Sequence, residues 1–139
     1  MDKTILAYAA GLMDGEGSIC LIRTNKGGQR APYLTMSSTS IELVMFMKDN
    51  FGGSVCIAQK AKGKHSEAYH WKIGRQGALK VLKLLTPYLK EKEKARRACL
   101  ILENYPALLP KNGYYTPEIL DKIRQVEIEF FKNSTKVKM

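Results

Sequence analysis

Polar and apolar positions change their period several times along the chain, and each change marks an element. Over residues 4–14 small and apolar side chains recur at helical spacing, with Thr4 standing where a cap would. Residues 18–24 read as a strand, the two-glycine run 25–30 as a hairpin turn, and 32–38 as the return strand. In that return strand Tyr33, Thr35 and Ser37 alternate with Leu34 and Met36, as one wet and one buried face require. A second helix starts near 38–42, with Thr39 or Ser40 as cap and Glu42 three residues after Thr39 as in a capping box. It runs to Phe51 and stops at Gly52 and Gly53. A third strand covers 54–60, a polar tip 62–66, and a fourth strand 67–73, where Tyr69, Trp71 and Ile73 alternate with His70 and Lys72. Helical spacing returns over 76–85 and is interrupted at Pro87. A charged helix follows over 89–104, then a loop over 106–113. A last helix covers 117–132, with Thr116 as cap and Pro117 at its first position.

The order is α-ββ-α-ββ-α plus C-terminal helices. It predicts an α+β fold with helices on one face of an antiparallel sheet. We read residues 1–139 as one domain, with a core over about 4–105 and a helical extension over about 106–139 that caps it. Tyr33, Thr35, Ser37, His70, Lys72 and Lys60 point to the sheet's other face, which solvent alone would satisfy. Cys20 belongs to that outer face, while Trp71 and Cys99 are expected in the core.

Composition narrows the class. Hydrophobic residues make up 45% of the 139 and charged residues 26%, an ordinary balance for a globule. No apolar run approaches the ~18 residues of a membrane span. The first residues lack the basic and apolar regions of a secretory signal, so an intracellular protein is expected. Three well-separated cysteines argue against a disulfide framework. With two histidines and no Cys-x-x-Cys, a zinc finger is excluded.

Charge adds a partner. The net charge is +10, and it is concentrated: residues 60–97 hold twelve basic and three acidic residues, a net of +9. A stretch this basic points to a polyanion, most simply nucleic acid; a solvated basic face is the plain alternative.

The run Ala9-Ala10-Gly11-Leu12-Met13-Asp14-Gly15-Glu16-Gly17 is chemically odd in two ways. Ala7, Ala10, Gly11 and Gly15 put small residues along one helix side, which lets another backbone come close. The helix also ends in two carboxylates, Asp14 and Glu16, at the pole that already carries partial negative charge. A cation must offset them, and a hard divalent metal held by carboxylate and carbonyl oxygens would do so. If the bare side is a twofold contact, two Glu16 groups meet and form a clamp suited to phosphodiester hydrolysis. The plain alternative is a helix stop with Glu16 exposed.

This segment resembles the LAGLIDADG motif of homing endonucleases, matching at Ala10-Gly11-Leu12, Asp14 and Gly17, with Ala9 departing from the usual Leu. The likeness extends over about residues 4–105. It includes Ser38-Thr39-Ser40-Ile41-Glu42-Leu43, Tyr69-His70-Trp71-Lys72-Ile73 and Pro87-Tyr88-Leu89-Lys90-Glu91-Lys92-Glu93-Lys94. It implies a site-specific DNA endonuclease of a mobile intron or similar element. A single motif in a chain of this length is similar to the homodimeric members. Carried over by position, Glu16 is the metal-binding acid, the Gly15 carbonyl faces the metal, and Asp14 is a more structural acid at the helix end. Lys92 matches a basic pocket residue near the scissile phosphate, and a polar water-orienting residue falls within 38–40. Mg²⁺ is the implied ion, with Mn²⁺ or Ca²⁺ able to occupy the same site. Ala7, Ala10, Gly11 and Asp14 fall in the implied dimer contact. Double-stranded DNA is the implied partner, with no small-molecule substrate and no membrane. The family's sheet straddles the major groove, where an extended ribbon reads base edges. That places Arg23, Tyr33, Thr35, Ser37, Lys60, His70, Lys72 and Arg75 against DNA, with Lys26, Gln29, Arg30, Lys62 and Lys64 at the hairpin tips. The same scaffold also serves non-cleaving DNA-binding regulators, which typically lose the motif acids, and RNA maturases.

Overall fold

In the computed structural model the chain is described over residues 1–23, 28–59, 67–110 and 114–132. Among the described residues five helices and four strands follow the predicted order: α1 (Lys3–Glu16), β1 (Gly17–Arg23), β2 (Arg30–Ser38), α2 (Ile41–Phe51), β3 (Ser54–Gln59), β4 (Ala68–Gly74), α3 (Gln76–Leu85), α4 (Lys92–Leu108) and α5 (Pro117–Phe131). A single 3-10 turn, Thr86–Tyr88, sits where Pro87 breaks the chain before α4. Among the described residues no helix is long and apolar enough to cross a membrane.

The sheet is antiparallel throughout, with strand order β1-β2-β4-β3. Leu34 faces Ile19 on one side and Ile73 on the other, and Met36 faces Gly17 and Trp71. These inward residues meet Met13 of α1, Met47 of α2, Leu82 of α3 and Ile101 of α4 in one continuous core. The period-2 pattern holds where it was read: Leu34, Met36 and Trp71 are buried, while Thr35, Ser37 and Lys72 reach the other face. Trp71 is fully buried and donates its indole N–H to the Gly52 carbonyl at 2.8 Å. Gly52 and Gly53 both take positive φ, 83° and 90°, which lets α2 turn straight into β3. At Gly53 a side chain would also collide with the Lys72 carbonyl and the Trp71 indole.

Five local expectations are corrected. Asp2, not Thr4, caps α1: its Oδ1 accepts the Thr4 amide at 2.7 Å. The Thr39–Glu42 box does not form; Ser40 is the cap position without a side-chain bond, and its amide goes to Ser38 Oγ at 3.0 Å. Helix α4 starts at Lys92 rather than 89, because Lys90 and Glu91 give their amides to Asp14. It also runs through Pro106 to Leu108 instead of ending at 104. Cys99 is exposed, not core: Ala98, Ile101, Tyr105 and Leu108 form the buried stripe, and Cys99 lies off it.

Helix α5 docks on α4 through Ile123, Val126 and Phe130. Arg96 donates to the Glu129 and Phe130 carbonyls at 3.0 and 2.9 Å, closing the C-terminal end of α5, where a cation offsets the helix dipole. A bidentate pair with Glu93, both bonds 2.8 Å, orients Arg96 and holds its guanidinium further into the charged range. Arg97 lies over the Phe130 ring at 4.7 Å. Under this helix the Tyr105 hydroxyl is buried without a hydrogen-bond partner among the described residues. Burial, reinforced by Glu127, pushes its phenol well above the ordinary range.

Candidate nucleic-acid interface and acidic centre

Helix α1 runs directly into β1, so the two acids of its last turn sit at one end of the sheet. It extends to Glu16 rather than stopping at Asp14, and the Gly17 amide closes it on the Met13 carbonyl. The cation that this pole requires is in part the chain's own. Lys94 Nζ donates to the Met13 carbonyl at 2.9 Å and to the Asp14 carbonyl at 2.6 Å. The Asp14 carboxylate accepts the Lys90 amide at 2.8 Å and the Glu91 amide at 3.2 Å. It therefore clamps the start of α4 to the end of α1 across more than seventy residues of sequence. Lys92, the next residue, is exposed at the first position of α4, and the clamp brings it to the same end of the fold as Glu16.

Glu16 differs from Asp14. It is exposed and makes no hydrogen bond or ion pair among the described residues. The Gly15 carbonyl is the next one beyond the pair held by Lys94. Among the described residues no three His, Cys, Asp or Glu side chains converge, so a single chain builds no complete cage. A Mg²⁺ ion does not need one, since it keeps several waters and is commonly held by one or two carboxylates plus substrate phosphates. An exposed Glu16 beside the Gly15 carbonyl, the next one beyond those held by Lys94, fits that requirement.

The small residues of α1 divide into two sets. Ala10 is fully buried in its own chain, so it belongs to the core rather than to the bare side. Ala7, Gly11 and Gly15 are exposed. A side chain at Gly11 or Gly15 would meet nothing within 4 Å. Nothing within the chain requires glycine's lack of bulk at either position.

The outer face of the sheet is a lattice of small and polar side chains. Ser18, Thr35, Lys72 and Ser54 stand in one cross-strand row, and Ser37, His70 and Cys56 in another. Ser37 Oγ and His70 Nδ1 are 2.7 Å apart, which leaves Nε2 as the free ring nitrogen. Gly17 pairs with Met36, the neighbour of Ser37, so this pair lies at the Glu16 end. Tyr33 lies against Gly74, where any side chain would strike its ring, and Lys72 Nζ stands 5.5 Å from the ring centre. Burial pushes the Cys20 thiol up, against the opposing effect of its contact with Thr35, keeping it neutral on this face. Arg75 is exposed and holds φ at 56° where β4 turns into α3, with its amide bonded to the Pro32 carbonyl at 2.8 Å.

Other expected contacts lie elsewhere. By strand alternation Arg23 and Arg30 fall on the helix side of the sheet, where Arg30 pairs with Glu127 at 2.7 Å. Lys26, Lys60, Lys62 and Lys64 lie outside the described residues. The basic run 60–97 is not one surface: Lys94, Arg96 and Arg97 are turned onto Glu93 and onto backbone carbonyls, including Ile19 O for Arg97. Pattern reading missed these roles. The one local signal was Glu93 placed three and four residues before Arg96 and Arg97.

Lys94→Met is expected to lower unfolding stability by about 1–2 kcal/mol, the scale of a partly exposed charge-assisted bond. A urea midpoint unchanged at constant m-value would refute the clamp.

No protein-family pattern matches the chain, and no curated protein is significantly similar to it in sequence. Solved structures match over nearly all of it. The archaeal intron-encoded homing endonuclease I-Vdi141I, complexed with DNA, aligns with a TM-score of 0.72 at 15% identity, covering 98% of this chain and 87% of that one. The homing endonuclease I-TnaI aligns at 0.66 with 20% identity over 91% of this chain and 87% of that one. The LAGLIDADG homing endonuclease I-SmaMI, bound to cleaved DNA, aligns at 0.67 with 19% identity over 92% of this chain but only 44% of its own. With its acidic helix running into the first strand and four antiparallel strands beneath the helices, this chain has the LAGLIDADG homing-endonuclease fold.

Proposed function

We propose that this protein is a site-specific, double-strand DNA endonuclease that works as a homodimer with a divalent metal, Mg²⁺ in the first instance. The observation that carries this reading is the division of labour at the end of α1. Asp14 and Lys94 are engaged in holding the fold, and Glu16 alone of the two motif acids is exposed and unpaired. The neighbours at low identity include homing endonucleases complexed with DNA, among them I-CvuI in the presence of Ca and, with its DNA not cleaved, in the presence of Mg.

Glu16 and the Gly15 carbonyl would hold the ion, which when bound supplies Lewis-acid polarisation of a phosphate and activation of water. Lys92 would neutralise charge developing on the scissile phosphate, a preorganised contact that needs no rearrangement. The exposed Ala7, Gly11 and Gly15 would meet their counterparts in a second copy. Two Glu16 groups would then lie about one axis, one for each DNA strand. Tyr33, Thr35, Ser37, His70, Lys72 and Arg75 would meet the major groove, and twofold protein symmetry calls for a long, nearly palindromic site.

Incubation with a randomised duplex library, followed by sequencing of the ends, tests this. Cuts on both strands at one near-palindromic site are expected with Mg²⁺ and none with EDTA. Specific binding without cuts under any divalent ion would indicate a regulator. Tighter binding to structured RNA than to duplex DNA would indicate a maturase.

A further inference from the structure

We propose a backbone-phosphate site in the cleft between the far end of the β1–β2 ribbon and α5, an inference that rests on the DNA-binding reading above. The cleft encloses about 560 Å³ and is lined by Arg23, Gln29, Arg30, Arg124, Glu127 and the apolar edge of α5. Three guanidinium groups share it with one carboxylate. That carboxylate, Glu127, is bonded to Arg30, so Arg23 and Arg124 remain uncompensated within it.

The charge arrangement is unfavourable without an anion. Arg23 and Arg30 are direct cross-strand partners, and like charges opposite one another destabilise a sheet. Arg124 reaches only Asp121, at 4.0 Å between side chains that are 76% and 69% exposed, an ion pair of negligible strength. The Arg23 side chain is exposed and makes no hydrogen bond, ion pair or ring contact among the described residues.

Its place in the fold selects the anion. β1 is an edge strand, and the six steps from Gly17 to Arg23 carry the chain roughly 20 Å away from the Glu16 end. A ribbon in a major groove has bases below it and a phosphate wall along each edge. The groove is roughly 8.5 Å deep, so the wall rises past the sheet toward the helix layer. Residues on the outer face reach bases; residues on the helix side of the edge strand stand level with phosphates. Arg23 and Arg124 occupy that level, and α5 thereby becomes part of the DNA footprint. Such a contact adds affinity without sequence preference.

The experiment is a salt titration of duplex binding by wild type, Arg124→Gln and the Arg23→Gln/Arg124→Gln double variant. Each is measured on the selected target and on an unrelated duplex. The slope of log K against log[salt] is expected to fall by about 1.8 per dimer for Arg124→Gln, one contact of about 0.9 from each protomer, and by about twice that for the double variant. Affinity should drop several-fold and equally on both duplexes, with the thermal melting of the free protein not lowered by Arg124→Gln and raised slightly by the added Arg23→Gln, which removes the like-charge pair with Arg30. A wild-type slope retained by both variants would overturn the site and leave the endonuclease reading intact. Loss confined to the target duplex would also overturn it, because it would make these residues base readers. A wild type that binds no duplex DNA would overturn both readings.

Discussion

Glu16→Gln is expected to reduce the cleavage rate by on the order of 10³-fold while the protein still folds and binds its target. The side chain is exposed and has no partner among the described residues, so an isosteric amide removes no contact from the fold. What it removes is the full negative charge a hard cation requires. A metal's stabilisation of transition-state charge is worth several kcal/mol. At 1.36 kcal/mol per tenfold, a loss of about 4 kcal/mol gives that factor. Single-turnover cleavage on saturating duplex with Mg²⁺ reads it, with binding measured separately by anisotropy. Wild-type rates in the variant would remove Glu16 from the chemistry. Asp14→Asn provides the contrast. One of its two oxygens would become a donor facing a backbone amide, so stability and cleavage should fall together.

Trp71→Ala is expected to cost about 3–5 kcal/mol, the scale for emptying a fully buried aromatic site. Against a total of about 5–15 kcal/mol for a domain, that leaves the fold marginal. Trp71 is buried between β2 and β3 at the centre of the sheet, and its N–H satisfies the Gly52 carbonyl where α2 turns into β3. Truncation therefore opens a cavity and orphans a carbonyl at once. Trp71→Phe keeps much of the volume and loses the bond, so it should cost less. Urea unfolding followed by circular dichroism measures both, and a loss below about 1 kcal/mol for Trp71→Ala would refute this account of the core.

The functional consequence of both variants runs through the same sheet. Its inner face holds α1 in place, which carries Glu16. Its outer face presents Thr35, Ser37, His70 and Lys72. Ser37 and His70 are hydrogen-bonded to each other, so they present a coupled surface rather than two independent groups.

Periodicity by itself determined the elements, because the period of burial is set locally by backbone geometry. Leu34 and Met36 against Thr35 and Ser37, the glycine stop at Gly52–Gly53, and the Thr116–Pro117 helix start were legible for that reason. The acidic end of α1 was legible as a chemical oddity, and its resemblance to a known motif pointed to the fold. Only the tertiary structure decided how the charges are used. Asp14 finds its partners at Lys90 and Glu91, Lys94 reaches back to α1, Arg96 closes α5, and Arg30 meets Glu127. In the same way Ala10 is turned inward while Gly11 faces out, a difference of one residue on a helix whose packing partners lie far away in sequence. A basic residue looks the same in a sequence whether it faces a phosphate or a helix carbonyl. What separates the two is which distant backbone end is left unsatisfied nearby, and that is settled only when the helices dock.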